Sequence, residues 1–189
     1  MKYDLSKKPS KFAERVLADL YRTLFGLLQE KALESITVNE ICERANYPRA
    51  TFYNYFDDIY DLLSYSWIRI KEEIHFEDYS DMESSERTGI LFGRCYDYLS
   101  ERRGVIDKII RFNPEDGRFV ESLRKAMREL IYEIIVSTPC SEKYKLPYEM
   151  ISEHYANTLQ MVLEWCFIRK SGLSKEEALK AVQYLLEAL

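Results

Sequence analysis

The sequence predicts an all-α protein, on three observations: apolar residues recur every three or four positions along most of it, helix-capping pairs precede two of these runs, and no convincing strand interrupts them. Glycine and proline number only 6 and 5 among 189 residues, so few points break a helix. The apolar share of 47% and charged share of 31% belong to a packed globular chain, which excludes collagen-like and disordered classes. At this length the chain forms one compact domain or a small module fused to a larger body.

Phe12, Val16, Leu20, Leu24 and Leu27 draw one apolar stripe along a first helix from about Ser10 to Glu30. After a break at Glu34-Ser35-Ile36, Thr37-Val38-Asn39-Glu40 reads as a capping box, with the threonine hydroxyl taking the Glu40 amide proton and the Glu40 side chain reaching back. The second helix it opens buries Val38, Ile41, Cys42 and Ala45, and Asn46-Tyr47-Pro48 ends it, because Asn tolerates left-handed geometry and Pro48 suits a first helical turn. The third helix runs from about Pro48 to Tyr55, roughly 12 Å at 1.5 Å per residue, too short to stand unpacked. Asp57 and Asp58 are suited to capping a fourth, whose inner face is Ile59, Leu62, Leu63, Ser66, Trp67, Ile70 and Ile74.

The acidic stretch Glu77 to Glu86 has no period and reads as a connection. Beyond it Leu91, Cys95, Tyr98 and Leu99 mark a helix ending near Arg103-Gly104, and Val105, Ile106, Ile109 and Ile110 a short one ending at Asn113-Pro114. Phe119, Leu123, Met127, Leu130, Ile131 and Ile134 carry a longer helix to Thr138-Pro139. Ile151, Tyr155, Leu159, Val162 and Cys166 carry another that Ser171-Gly172 stops, and Ser174-Lys175-Glu176-Glu177 is a second capping box before Ala178, Leu179, Val182, Leu185, Leu186 and Leu189. About nine helices result, divided into a module over 1–57 and a body over 58–189.

The net charge of -5 is uneven. Residues 1–56 hold nine Lys/Arg against seven Asp/Glu, and the remainder holds 18 against 25, so a weakly basic head sits on an acidic body. No apolar run approaches the ~20 residues of a membrane span, and no signal-peptide core follows the charges of the N-terminus, which argues for a cytoplasmic protein. Cys42, Cys95, Cys140 and Cys166 are scattered singly, a pattern of free thiols in a reducing compartment. His154 has no second histidine at i+4 and His75 is distant, so no metal set is evident. No Ser/His/Asp or Cys/His grouping, glycine-rich phosphate loop or HExxH appears, and neither an enzyme nor a cofactor is expected.

Two short helices joined by a tight turn, between longer ones, make a helix-turn-helix, whose second short helix lies in the DNA major groove. Arg49, Thr51, Tyr53, Asn54 and Tyr55 crowd that helix with hydrogen-bonding groups, while Ala50, Phe52 and Phe56 give its packing side. Arg can read guanine and Asn adenine; Thr and Tyr can hold phosphate or touch thymine methyls.

The run from Ile36 to Phe56, with its Ile-Thr-Val opening at 36–38, its Thr-Phe-Tyr triplet at 51–53 and its closing Phe56, followed by Leu62 and Leu63, resembles the DNA-binding signature of the TetR family of bacterial transcriptional regulators. The resemblance covers about residues 10 to 65. It implies an all-helical homodimer joined through its last two helices, with three N-terminal helices for double-stranded operator DNA and a variable body for a small-molecule effector. A typical member represses at a palindromic operator and is released by its effector. On that pattern Thr37 meets phosphate, Arg49, Ala50 and Thr51 face base edges or backbone, and Tyr53, Asn54 and Tyr55 meet phosphate and bases. By charge alone, Lys7, Lys8 and Lys11 add backbone contacts from an N-terminal arm.

Effector pockets are mostly apolar and aromatic, so Tyr96, Phe112, Tyr132, Tyr155 and Trp165 are the effector-binding candidates, with core or dimer packing the competing role of each. Two positions depart from the family pattern. Asn46 stands where many members have Gly, and Asp57-Asp58-Ile59 stands where many have a phosphate-binding Lys. The second departure motivates a rival reading, a coactivator or adaptor that works through a protein partner. Another is a small-molecule carrier with a vestigial DNA head.

Overall fold

The computed structural model describes residues 10–76, 87–136 and 146–187. Among them are nine α-helices and no strand: α1 (Lys11–Leu28), α2 (Val38–Ala45), α3 (Arg49–Tyr53), α4 (Ile59–Glu73), α5 (Arg87–Glu101), α6 (Arg103–Phe112), α7 (Arg118–Val136), α8 (Tyr148–Phe167) and α9 (Lys175–Glu187), with a 3-10 turn at Leu33–Ser35. The all-α expectation and the order of its elements hold. Lys7, Lys8, the connection 77–86, the stop at Thr138-Pro139, Cys140 and Leu189 lie outside the described residues.

The chain forms two compact units. The first contains the described residues up to Ile70 together with Lys108–Ser122, and so is larger than a module ending at residue 57. Its core is the buried face of α1, namely Ala13, Val16, Leu17, Leu20, Leu24, Leu27 and Leu28, packed with Leu33, Ile36, Ile41, Phe52, Phe56, Leu62 and Leu63 and with Ile109, Phe119 and Val120. Phe12 was expected in this stripe, but it is 65% exposed. Ala13 takes the inward position in the first turn, after the Ser10 hydroxyl accepts the Ala13 N–H at 3.2 Å to start the helix.

The α6–α7 corner gives this first unit several polar anchors. Asn113, only 2% exposed, accepts the Leu33 N–H at 2.9 Å. The Arg118 N–H donates to Glu34 at 3.1 Å and its guanidinium to the Tyr60 hydroxyl at 2.9 Å, while the Trp67 indole donates to Ser122 at 2.8 Å. The corner turns tightly at Gly117, whose N–H reaches the Pro114 carbonyl at 2.9 Å; a Cβ there would stand 3.1 Å from that oxygen.

The second unit holds Lys71–Asp107 and residues from Leu123 onward. Its core gathers Phe92, Ile131, Ile151, Ala156, Leu159, Val162, Phe167, Ala178 and Val182, with α9 packed on α5 and α8. The second capping box forms in full, the Glu177 N–H donating to the Ser174 hydroxyl at 3.3 Å and the Ser174 N–H to the Glu177 carboxylate at 2.8 Å. Lys175 pairs with Asp97 at 2.5 Å, and Arg124 with Glu164 at 3.1 Å. Cys42, Cys95 and Cys166 are free thiols, and burial pushes the Cys95 thiol up to about 12, which disfavours its thiolate form.

Candidate nucleic-acid interface

The α2–turn–α3 unit is fixed by local chemistry. The exposed Thr37 is the N-cap of α2 and accepts the Glu40 N–H at 3.2 Å. The other half of the expected box does not form as written, because the Glu40 carboxylate takes Lys31 at 2.6 Å. An ion pair with a lysine nine residues upstream has displaced the local bond to the Thr37 amide.

At the other end of α2, Asn46 takes the left-handed conformation, φ 58° and ψ 44°. The Tyr47 N–H returns to the Cys42 carbonyl at 2.9 Å and the Asn46 N–H to Glu43 at 3.2 Å, which is the Schellman closure. Two contacts, one with α1 and one with the segment just after it, hold the α2 end and the turn. The Tyr47 hydroxyl donates to Asp19 at 2.8 Å, and Arg44 makes a bidentate pair with Glu30 at 2.8 and 2.9 Å. The Asp19 hydrogen bond holds the Tyr47 phenol above its usual range, and Arg44 holds the Glu30 carboxyl below its own. Residue-type reasoning missed Tyr47 and Asp19 because they stand 28 positions apart; the polar hydroxyl on a half-buried turn was the available signal.

Pro48 is the N-cap of α3 and not its first helical residue, with ψ at 146°. The helix runs Arg49–Tyr53 with Asn54 as C-cap, shorter than the expected 48–55. Phe52 is fully buried and packs on Phe56 at 5.6 Å between ring centroids, and Phe56 on Tyr65 at 5.6 Å. With Phe52 inward, Arg49, Ala50, Tyr53 and Asn54 are exposed and Thr51 is half-buried. The Arg49 guanidinium donates to the Tyr53 hydroxyl at 3.3 Å and lies 5.8 Å from that ring's centroid, so the two present one cationic, hydrogen-bonding surface.

Tyr55 departs from the expected exposed set. The α-helix ends at Tyr53, so the side chain at 55 no longer follows its phase; it is 9% exposed and joins the core beside Phe56. Beyond it Asp58 accepts the Asp61 N–H at 2.9 Å and Asp61 accepts the Asp57 N–H at 3.0 Å, a reciprocal cap on α4. Lys11 is exposed in the first turn of α1.

The five body aromatics are divided between the two units. Phe112 belongs to the first unit and is 37% exposed; Tyr132 and Trp165 are exposed in the second, with Arg169 over the Trp165 ring at 5.3 Å. Tyr96 is half-buried, its hydroxyl donating to the Leu173 carbonyl at 3.0 Å and its ring 5.1 Å from Phe167; burial, foremost, raises its phenol. Tyr155 is half-buried beside His154. An apolar cavity of about 10 Å³ lies among Leu91, Phe92, Cys95, Met127, Leu130, Ile131, Leu159 and Leu163, and none of the five lines it. No cluster of three or more His, Cys, Asp or Glu is placed to hold a metal among the described residues. No helix among them is long and apolar enough to cross a membrane.

Residues 22–65 match the family model of bacterial regulatory proteins, tetR family. The fold is similar to that of a TetR-family transcriptional regulator from Syntrophomonas wolfei, with 15% identity, a TM-score of 0.68 and coverage of 91% of this chain and 93% of that one. It is similar to the fatty acid degradation regulator FadR of Bacillus halodurans, with 14% identity, a TM-score of 0.63 and coverage of 91% and 98%. It is also similar to the dihydroxyacetone kinase operon activator DhaS, with 22% identity, a TM-score of 0.54 and coverage of 92% and 94%. No curated protein matches the sequence.

Proposed function

We propose that this protein, whose residues 22–65 match the model of bacterial regulatory proteins, tetR family, represses transcription as a homodimer on a palindromic operator and is released by a small-molecule effector. The observation that carries the DNA reading is the exposed face of α3, where Arg49 and Tyr53 are already joined over a buried Phe52. In this reading Arg49 and Asn54 read base edges, Tyr53, Thr51 and Thr37 hold phosphate, Ala50 lets the helix approach, and Lys7, Lys8 and Lys11 add charge from the N-terminal arm. Tyr55 acts from inside, through Phe56, by seating the helix.

Homodimerisation is supported by exposed apolar residues on the last two helices, Met150, Met161 and Trp165 on α8 and Tyr184 on α9. A dimer would set two α3 helices about 34 to 36 Å apart, one turn of DNA. The effector role is assigned to the second unit, which holds Tyr96, Tyr132, Tyr155 and Trp165. The reading is non-enzymatic, needs no cofactor and places the protein with the chromosome in the cytoplasm. Selection of duplex DNA from a random pool tests it: recovery of a two-fold symmetric sequence with half-sites one turn apart is expected, and failure to enrich any duplex would sink the proposal.

A second reading is favoured by Asp57 and Asp58, exposed just after α3, where two carboxylates repel phosphate. Here the protein is an adaptor that engages DNA in the company of a second regulator. Enrichment of DNA only when such a partner co-purifies would favour it.

A further inference from the structure

Asn113 is one of the few fully buried polar side chains of the first unit, and every polar atom of its amide is engaged. Its Oδ1 accepts the Leu33 N–H at 2.9 Å. Its Nδ2 donates among three carbonyls, those of Ile109 at 3.0 Å, Leu28 at 3.3 Å and Lys31 at 3.5 Å. Leu28 is the last residue of α1, where helical carbonyls lose their own partners. Lys31 and Leu33 frame the 3-10 turn, and Thr37, the cap of α2, lies only four residues past Leu33. One side chain therefore ties the end of α1 to the start of the 3-10 turn from a position 80 residues or more along the chain.

An apolar residue of the same volume would fill this site equally well, but it would leave the Leu33 N–H and the Leu28 carbonyl buried and unpaired. The amide thus fixes the path of the connection, a task packing alone leaves undone. The Arg118 N–H on Glu34 reinforces the same connection from the next turn of the corner, and Ile109, Phe119 and Val120 seat it in the core.

We propose that Asn113 is a positioning residue for DNA binding: it fixes the α1–α2 connection and with it the place of Thr37, where that connection enters α2. The proposal rests on the regulator reading above, with DNA phosphate as the group that Thr37 meets. It is tested with full-length protein and the duplex that wild type enriches from a random pool, by affinities of wild type, Thr37→Ala, Asn113→Ser and the double variant. Asn113→Ser keeps a hydroxyl that can bond back to Ile109 but is too short to reach Leu28 and Leu33.

Thr37→Ala should weaken wild-type binding roughly three- to tenfold, the worth of one hydrogen bond. It should cost less than about twofold in the Asn113→Ser background, because a displaced Thr37 has no contact left to lose. Asn113→Ser should melt in a single transition and be fully folded at room temperature. Equal fold-losses from Thr37→Ala in both backgrounds would overturn the proposal, as would wild-type affinity in Asn113→Ser or failure of that variant to fold, which would mark Asn113 as a support of the whole unit. If wild type enriches no duplex, the regulator reading falls and this inference with it; if wild type binds and the losses are additive, only the inference falls.

Discussion

Asn46 carries the sharpest single-residue demand in the reading head. At φ 58° it stands where an L side chain pays for crowding against its own carbonyl, a cost of about 1–2 kcal/mol that Asn partly escapes and Gly avoids. Asn46→Gly should therefore leave the urea midpoint near wild type, while Asn46→Ala should lower stability by about 1 kcal/mol; an Ala variant as stable as wild type would contradict the left-handed cap. The same scale explains what the sequence made legible. Asn before Tyr47-Pro48 is a local signal for a helix end, and Thr37 three residues before Glu40 is a local signal for a helix start. The partner of Glu40 was not legible, because Lys31 competes for it across a turn. Tyr55 was read by residue type and by the family resemblance, neither of which registers that the helix ends two residues earlier. Asn113 was legible only as a helix end before proline, since its partners lie 80 to 85 residues away.

The helices were legible as elements because each carries an apolar face at its own period, and the breaks between them fall at prolines, glycines and caps. Their tertiary grouping was not, since the α6–α7 corner joins the first unit through contacts that no local pattern encodes. At this scale α9 offers a titratable test. The Ser174 N–H, and after it the Ser174 hydroxyl, holds the Glu177 carboxyl below its ordinary range. A carboxyl with a depressed folded value adds stability in full above its unfolded value and loses it as pH falls through the folded one. Acidification from neutral to below the ordinary carboxylate range should therefore fray the first turn of α9, read as lower protection of the Ser174 and Glu177 amides relative to their intrinsic exchange rates at each pH. Glu177→Gln, which keeps an acceptor and loses the charge, should flatten that pH dependence; an identical acid response in Glu177→Gln would assign the fraying elsewhere.

For the whole molecule, net charge and function pull in opposite directions. In the proposed function a chain of -5 approaches a polyanion, so binding would depend on how the few exposed cations of the head are placed. On that proposal Arg49 with Tyr53 would concentrate the burden on one exposed helix face, and the exposed Asp57 and Asp58 would limit affinity for arbitrary phosphate. The balance predicts binding that is weak without the right sequence and sharply dependent on the Arg49 contact. The candidate face on α3 was legible in residue type and spacing. The effector site was not, because aromatic residues mark a core, a surface or a pocket with the same letters. The most direct measurement is a fluorescence-anisotropy titration of the selected duplex and a scrambled duplex across a salt series, for wild type and Arg49→Ala. The account predicts preference for the selected duplex, weakening with salt, and in Arg49→Ala a loss of most of that preference, about 1–3 kcal/mol for one bidentate base contact. Equal affinity for both duplexes, or an Arg49→Ala protein that discriminates as well as wild type, would contradict it.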